Sequence, residues 1–232
     1  MFGNAPESLR LTLRVLARLV GYPDAELRAQ LPSLVDALRL ERALPASRMD
    51  ELEALCRQLA ALEPYEAEAR YVDTFDRGHR TSLHLFEHVH GDSRERGPAL
   101  IDLQQTYERT GLRFEAPELP DHLAVVLEFA STQPVAIAQA FLGEMAHILN
   151  ALFTALADRR SPYASVIAAV LEAAGQRAQA VAIAPETGLD DTWAEPAAFD
   201  GCSTRGQNRP GDPQPLHFVR KSAPPSNQGA SQ

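Results

Sequence analysis

The sequence predicts an all-α protein, a single bundle of about nine helices, and two observations lead to this prediction. Alanine, leucine and arginine, which all favour helix, are abundant, and a single lysine stands among the 22 basic residues. Apolar residues recur three and four positions apart along most of the chain, whereas the alternation of Val, Ile and Thr typical of strands is almost absent. With 232 residues, 45% of them hydrophobic, the chain can bury a sizeable core.

Apolar stripes and proline positions define each helix in turn. The predicted helices span 9–20, 27–38, 47–62, 64–75, 82–89, 93–111, 118–130, 134–157 and 161–175. Tyr22-Pro23-Asp24 ends the first, and Pro32 is expected near the first turn of the second, where proline is tolerated. Ser47 can cap the third helix, and Pro64 opens the fourth.

Turn and capping signals separate the later helices. The fifth stops at His90-Gly91, and Asp92-Ser93 can cap the sixth. Glu118-Leu119-Pro120-Asp121 begins the seventh, with Pro120 in its permitted first turn. Pro134 opens a long eighth helix with a broad apolar face, and Ser161-Pro162 begins the last. Short connections between these helices favour one bundle.

The composition changes near the C-terminus. Residues 200–232 hold five of the 17 prolines, with much Gly, Ser, Gln and Asn, and we expect this tail to be disordered because it cannot bury enough apolar surface. Just before it, Trp193 and Phe199 are expected to fix an extended segment to the bundle. The predicted organisation is an all-helical domain over 1–199, ending in this Trp193 clip, and a disordered tail over 200–232.

The charge of the chain restricts its partners. Up to Phe199 the sequence holds 29 acidic and 18 basic residues, a formal charge of −11, while the last 33 residues carry +2. Such a field disfavours nucleic acid and anionic membranes and suits basic partners. The N-terminal segment has arginines among its leucines, unlike a signal peptide, and no apolar run reaches 18 residues. We therefore expect a cytoplasmic protein that does not insert into a membrane.

The sequence lacks the common patterns of catalytic and metal sites. His84 and His88, in a cluster with Glu87, would share a helix face and could hold a metal, but the spacing is not His-Glu-x-x-His and no cysteine is near. No phosphate-binding glycine loop or nucleophile elbow is present. Asp121-His122 could contact a ligand, or Asp121 could simply stabilise a helix start. We therefore expect no enzyme activity, no bound metal and no cofactor.

Several sequence blocks, in order, carry a family resemblance. They are Asp73-Thr74-Phe75-Asp76, Ser82-Leu83-His84-Leu85, Gly91-Asp92-Ser93-Arg94-Glu95-Arg96-Gly97 and Glu118-Leu119-Pro120-Asp121-His122-Leu123, with Gly21-Tyr22-Pro23-Asp24 before them and Trp193-Ala194-Glu195-Pro196 after them. The chain closely resembles the NarJ family of assembly chaperones for the molybdenum-cofactor subunit of respiratory nitrate reductase, which belongs with the TorD-like chaperones. The resemblance spans roughly 13–199. Pro98 departs from the pattern: it kinks the sixth helix, or that helix starts later, near Gly97.

The resemblance implies a TorD-like helical bundle and a chaperone, with no resident cofactor, that binds the N-terminal segment of the apo catalytic (alpha) subunit. Such a chaperone holds its client for molybdenum cofactor and iron–sulfur insertion before docking to the membrane subunit. Combined with the acidic charge, it suggests that a basic amphipathic segment lies in a groove between helices. The expected client-binding residues supply apolar contacts, negative charge and, in His122, an imidazole at the edge of the groove that titrates near neutral pH. They are Tyr71, Asp73, Phe75, Asp76, Phe86, Glu87, Asp121 and His122.

Three alternatives remain open from the sequence. A TorD-like chaperone could serve another molybdoenzyme by reading a twin-arginine signal peptide, although the Gly91–Gly97 block favours the nitrate reductase branch. The chain could instead be a stable helical subunit or adaptor of a membrane complex, which would co-purify with the mature enzyme in a fixed ratio. A histidine-metal enzyme would require stoichiometric metal in the purified protein.

Overall fold

The computed structural model describes residues 6–91, 93–115 and 118–182, which belong to one compact unit. These residues form ten α-helices, one 3₁₀ turn at His79–Thr81 and no strand, which confirms the all-α prediction. The helices are α1 Arg10–Leu19, α2 Ala25–Glu41, α3 Ala46–Ala61, α4 Pro64–Phe75, α5 Glu87–His90, α6 Arg96–Arg109, α7 Leu123–Ser131, α8 Val135–Glu144, α9 Ala146–Asp158 and α10 Ala164–Ala173. The Trp193 clip, the 199/200 boundary and the tail lie outside the described residues.

Helices α1 and α10 form the centre of the bundle. Helix α10 is apolar apart from Ser165 and Glu172, and the six side chains from Val166 to Leu171 are fully buried against α9, α3, α1 and α8. Helix α1 packs on α7, α2 and α10 and buries Leu13, Leu16 and Leu19 completely. Removal of this apolar area from water stabilises the fold by roughly 25 cal/mol for each Å².

The first helix is capped by a residue distant in sequence. Glu41, at the end of α2, accepts hydrogen bonds from the backbone N–H groups of Leu11 and Thr12 at 3.0 and 2.6 Å, and from the Ser8 hydroxyl at 2.6 Å. These are free donors of the first turn of α1, and a carboxylate there also interacts favourably with the helix dipole. Burial opposes ionisation of Glu41, but the hydrogen bonds outweigh it and lower its pKa.

Two predicted helix starts in the N-terminal half differ from the structure. Helix α2 begins at Ala25, with Asp24 as its cap, so Pro32 lies in the helix interior rather than near the first turn. Pro32 is exposed, and water can solvate the Arg28 carbonyl that the proline leaves without an N–H partner. Helix α3 begins at Ala46 after Pro45, so Ser47 lies inside it and makes no capping hydrogen bond.

The long predicted helix over 134–157 is two helices, α8 and α9, whose axes differ by 67°. The break lies at Met145, whose N–H bonds the Leu142 carbonyl three residues back, a tightened last turn that ends α8. The broad apolar face is thereby divided between two directions of packing. Among the described helices, none is long and apolar enough to span a membrane by itself, although α8 and α9 as a bent pair meet that test of length and composition.

Candidate functional site

In the segment from Gly78 to Gly91 the prediction of a helix over 82–89 is wrong for residues 82–86, and holds only for 87–89, which lie in α5. After the 3₁₀ turn the chain is extended, and it pairs antiparallel with the segment before α7 through an isolated bridge between His84 and His122. The N–H of Leu85 donates to the Asp121 carbonyl at 3.1 Å, and the N–H of Leu123 donates to the Leu83 carbonyl at 2.8 Å. Only the four residues of α5 are helical, because this tertiary pairing takes the backbone groups that a helix would use.

Asp121 is the centre of a polar cluster beneath this bridge. Its carboxylate is fully buried, accepts a hydrogen bond from the N–H of Phe86 at 3.0 Å, and lies 3.3 Å from Nδ1 of His84. Arg96, in the first turn of α6, places Nη2 at 3.8 Å from Asp121 and Nη1 at 3.4 Å from Glu87. We call His84, Phe86, Glu87, Arg96, Asp121 and His122 the Asp121 cluster.

The seventh helix begins later than predicted, and Asp121 therefore lies in the segment before the helix, where it pairs with residues 84–86. Helix α7 starts at Leu123, with His122 as its cap residue, so Pro120 and Asp121 precede the helix. Tyr107 of α6 donates a hydrogen bond to the Pro120 carbonyl at 2.8 Å and holds the segment from the other side. Helix α6 begins at Arg96, close to the later of the two predicted starts, and Pro98 is accommodated in its first turn.

Burial and nearby polar groups shift the pKa values of Asp121, His84 and His122. The hydrogen bond to Asp121 raises the pKa of His84, although partial burial opposes it. Burial would raise the pKa of Asp121, but the His84 and Phe86 hydrogen bonds and the Arg96 charge together lower it. Burial lowers the pKa of His122, whose Nδ1 has no hydrogen-bond partner among the described residues. The two histidine rings meet edge to face at 5.1 Å, and their pKa values are shifted in opposite directions, up for His84 by its hydrogen bond to Asp121 and down for His122 by burial.

His84 and His88 do not share a helix face as predicted, because His84 lies in the bridge to His122 and only His88 is in α5. The Nε2 atom of His88 lies 2.9 Å from the Ser82 carbonyl, and burial lowers the pKa of His88. Within the described ranges, no three His, Cys, Asp or Glu side chains are placed to hold a metal ion together.

The structure divides the eight predicted client-binding residues into three groups. Phe86, Glu87, Asp121 and His122 come together in the Asp121 cluster. Tyr71 and Phe75 lie elsewhere, buried face to edge with Tyr163, and the Tyr71 hydroxyl donates to the Val20 carbonyl at 2.8 Å.

The third group, Asp73 and Asp76, is exposed near the end of α4, where Asp73 pairs with Arg77 at 3.0 Å. Direct contact of any of the eight with a client stays a prediction, but the burial of Tyr71 and Phe75 favours a role in packing.

A groove along α7 was missed by the sequence reasoning. It has a volume of about 650 Å³ and lies between α1, α7 and the segment that follows α6. Its apolar lining comes from the end of α6, from that segment and from one face of α7: Tyr107, Leu112, Phe114, Val125 and Phe129. We call it the α7 groove. The apolar residues of 112–114, outside any predicted helix, were the only local signal for it.

The rim of the α7 groove carries charges of both signs. Arg14 and Arg18 of α1 and Glu128 of α7 line it, and Arg113 pairs with Glu115 at 2.9 Å. The groove reaches the Asp121 cluster through Tyr107, which lines the groove and bonds Pro120. The arrangement offers an apolar floor with charged edges, the surface that an amphipathic helix or extended peptide requires.

Residues 22–169 match the family model described as nitrate reductase delta subunit. The chain is 37% identical to the nitrate reductase molybdenum cofactor assembly chaperone NarJ of Escherichia coli K12, over 190 residues that cover 82% of this chain and 80% of that protein. It is 33% identical to the probable NarJ chaperone of Bacillus subtilis, covering 71% of this chain and 88% of that one.

Two further similarities were found. The probable assembly chaperone NarW of Escherichia coli K12 is 38% identical, covering 70% of this chain and 68% of that protein. A solved structure, a putative redox enzyme maturation protein from Archaeoglobus fulgidus, superposes with a TM-score of 0.45 and 20% identity, covering 66% of this chain and 92% of that one.

Proposed function

Because the chain belongs to the nitrate reductase delta subunit family, together with the NarJ assembly chaperones, we propose that it is a dedicated chaperone for molybdenum cofactor assembly of a respiratory nitrate reductase. It acts in the cytoplasm on the apo catalytic subunit, without enzymatic activity of its own. It binds the N-terminal segment of that subunit and holds it for insertion of the molybdenum cofactor and an iron–sulfur cluster, before the subunit docks at the membrane.

The α7 groove is the observation that supports client binding. An amphipathic segment would lay its apolar side against Val125, Phe114 and Leu112, and the last of these keeps 37% of its surface exposed. Burying one leucine-sized side chain in such a groove contributes about 1.5–3 kcal/mol. Two or three such contacts contribute about 3–9 kcal/mol before the costs of association and ordering are subtracted, so micromolar affinity, about 8 kcal/mol, requires further contacts along the segment.

Charge contributes mainly to recruitment. The groove rim is mixed, but the chain as a whole carries a formal charge of −9. A basic client segment would therefore be attracted over a long range and then held by apolar contact. Salt should weaken binding moderately, because it screens the long-range attraction and leaves apolar burial intact.

The Asp121 cluster positions the groove rather than forming its floor. Asp121 fixes the loop 78–91 to the start of α7 through the Phe86 N–H and His84. The partly buried edge of this cluster, at Glu87 and Phe86, extends the surface on which a bound segment could continue. A change at Asp121 should therefore alter client affinity indirectly, through the orientation of α7.

Calorimetry with two synthetic peptides tests the proposal. One peptide carries about fifteen N-terminal residues of the nitrate reductase catalytic subunit, and the other is a twin-arginine signal peptide of another molybdoenzyme. Selective binding of the first supports the proposed client, and preference for the second supports the TorD-like alternative. If neither peptide binds, the proposal that the chaperone recognises an N-terminal segment of its client is wrong.

A pair of leucine variants tests the groove. Leu112→Ser removes an apolar contact in the α7 groove, whereas Leu40→Ser changes a leucine of α2 that is 76% exposed and outside it. We expect the first to weaken peptide binding roughly tenfold and the second to leave it unchanged. Equal affinities of the two variants would place the peptide elsewhere.

A further inference from the structure

A second groove lies where the C-terminal half of α3, α4 and the turn between α9 and α10 meet. It has a volume of about 560 Å³, and Leu55, Leu59 and Pro162 form an apolar wall. It shares no residue with the α7 groove.

Three arginines line this second groove, against one acidic residue. Arg70, Arg159 and Arg160 contribute positive charge, and Asp73 is the acid. Asp73 is already paired with Arg77 at 3.0 Å and Arg70 with Glu66 at 2.5 Å. Among the described residues, the unpaired positive charge therefore comes from Arg159 and Arg160. A concentration of positive charge on a chain with a formal charge of −9 would attract anions to this place.

Two of the arginines have N–H donors that no described residue accepts. Arg160 makes no side-chain hydrogen bond or ion pair with any described residue, and Arg159 makes only a 3.4 Å hydrogen bond to the Thr74 carbonyl. A guanidinium group carries five N–H donors in a planar fork, and its geometry matches phosphate oxygens two at a time.

Two hydroxyl groups at the groove also lack partners. Tyr163 is only 4% exposed, and its Oη has no hydrogen-bond partner among the described residues. The Oγ of Ser161 is likewise buried and unpaired within the described part of the chain. Both residues line the groove, and Tyr163 occupies the N-cap position of α10, at the positive end of that helix, without a side-chain capping hydrogen bond. A buried hydroxyl without a partner costs stability, which a ligand oxygen in the groove would restore.

We propose that this groove, the arginine groove, binds a small phosphate-bearing anion. Arg159 and Arg160 hold the phosphate oxygens, the Ser161 and Tyr163 hydroxyls donate to them, and any apolar body of the ligand lies against Leu55. Two guanidinium groups that donate in pairs and two hydroxyls offer about six hydrogen bonds, more than the roughly four lone-pair sites of a carboxylate, and suit the terminal oxygens of a phosphate. The volume is that of a small-molecule site. This site is independent of client binding in the α7 groove.

The chain offers a matched pair of variants for the test. Arg160 and Arg42 both end a helix in the left-handed conformation, with φ of 53° and 54°. Glycine adopts this conformation without strain, so Arg160→Gly and Arg42→Gly should both melt at or above the wild-type temperature. Only Arg160 lines the arginine groove.

Calorimetry of the full chain at low salt uses inorganic pyrophosphate, adenosine diphosphate and acetate as probes. We expect wild type and Arg42→Gly to bind pyrophosphate alike, and Arg160→Gly to bind it roughly tenfold more weakly, because charge-assisted hydrogen bonds are lost. Tyr163→Phe keeps the ring that packs on Tyr71 and Phe75 and should weaken binding severalfold.

The adenosine diphosphate probe shows whether the ligand has an apolar body. If adenosine diphosphate binds more tightly than pyrophosphate, its adenosine part makes an apolar contact with the leucines. If the two bind equally, the groove recognises the anion alone. The proposal is overturned if wild type binds neither phosphate compound, if acetate binds as well as pyrophosphate, or if the two glycine variants lose affinity equally. Should Arg160→Gly melt lower than wild type, Arg159→Gln provides the same comparison.

Discussion

Replacement of Asp121 by Asn should lower stability by about 2 kcal/mol near pH 6. The substitution keeps the size of the side chain and one oxygen that can still accept the Phe86 N–H. It removes the negative charge that lies 3.3 Å from His84 Nδ1 and 3.8 Å from Arg96 Nη2.

The magnitude follows from the burial of the three groups. Removing one partner of a fully buried ion pair costs about 3–5 kcal/mol. Here Asp121 is fully buried, but the His84 and Arg96 side chains keep 28% and 21% of their surface exposed, so water compensates part of the loss. Hydrogen bonds to charged groups contribute about 1.5–3 kcal/mol, which brings the expected loss to about 2 kcal/mol. The melting temperature should fall by about 4–8 °C.

The loss should depend on pH in a definite sense. The pKa of Asp121 is lowered, so its contribution is present above the ordinary value near 3.8 and disappears as the pH falls through its folded pKa. The pKa of His84 is raised, so its contribution is full below the ordinary value of 6.5 and disappears as the pH rises through its folded pKa. The difference between wild type and variant should therefore be largest between these two values and shrink at higher pH.

Urea unfolding followed by circular dichroism at a series of pH values measures this difference. Asp73→Asn is the control, since Asp73 and Arg77 form an exposed pair whose loss should cost no more than about 0.5 kcal/mol. A loss below about 0.5 kcal/mol for Asp121→Asn at pH 6, or a loss that does not change with pH, would refute the assigned role of the Asp121 cluster.

Three other expectations concern separate parts of the bundle. Histidine titration by NMR should give His84 a midpoint above 6.5 and His122 one below it, and coincident midpoints would contradict the cluster geometry. Leu127→Ala, at a fully buried position of α7, should cost about 2–5 kcal/mol in urea unfolding, and a loss below about 1 kcal/mol would contradict the tight packing there. Glu41→Ala should cost about 1 kcal/mol and accelerate amide exchange at Thr12, whereas unchanged exchange would mean that Glu41 does not cap α1.

Local pattern was sufficient for the helical class and for the family. Apolar spacing of three and four residues locates most helices because the period of a helix is a property of the chain itself. Proline at the start of α4 fixed a boundary because its ring suits a first helical turn. The motif blocks indicated the family for a similar reason, since they can be read without knowing which residues meet in space.

Residues 82–86 show where local pattern failed. Their leucines and histidines are compatible with a helix, yet the backbone pairs instead with residues 121–123, nearly forty positions away. The same pairing brings together Phe86, Glu87, Asp121 and His122, half of the predicted client-binding residues. Tyr71 and Phe75 illustrate the opposite case, because the spacing on α4 could not show that Tyr163 of a distant segment covers them.

The sequence alone therefore established an acidic helical bundle with a family resemblance, because composition, period and motif are local quantities. Only the tertiary structure decided which carboxylate is buried, where the 134–157 segment bends, and that the α7 groove and the arginine groove exist. Grooves, buried charges and unpaired hydroxyls arise where several helices meet, and their energies depend on neighbours that lie far apart along the chain.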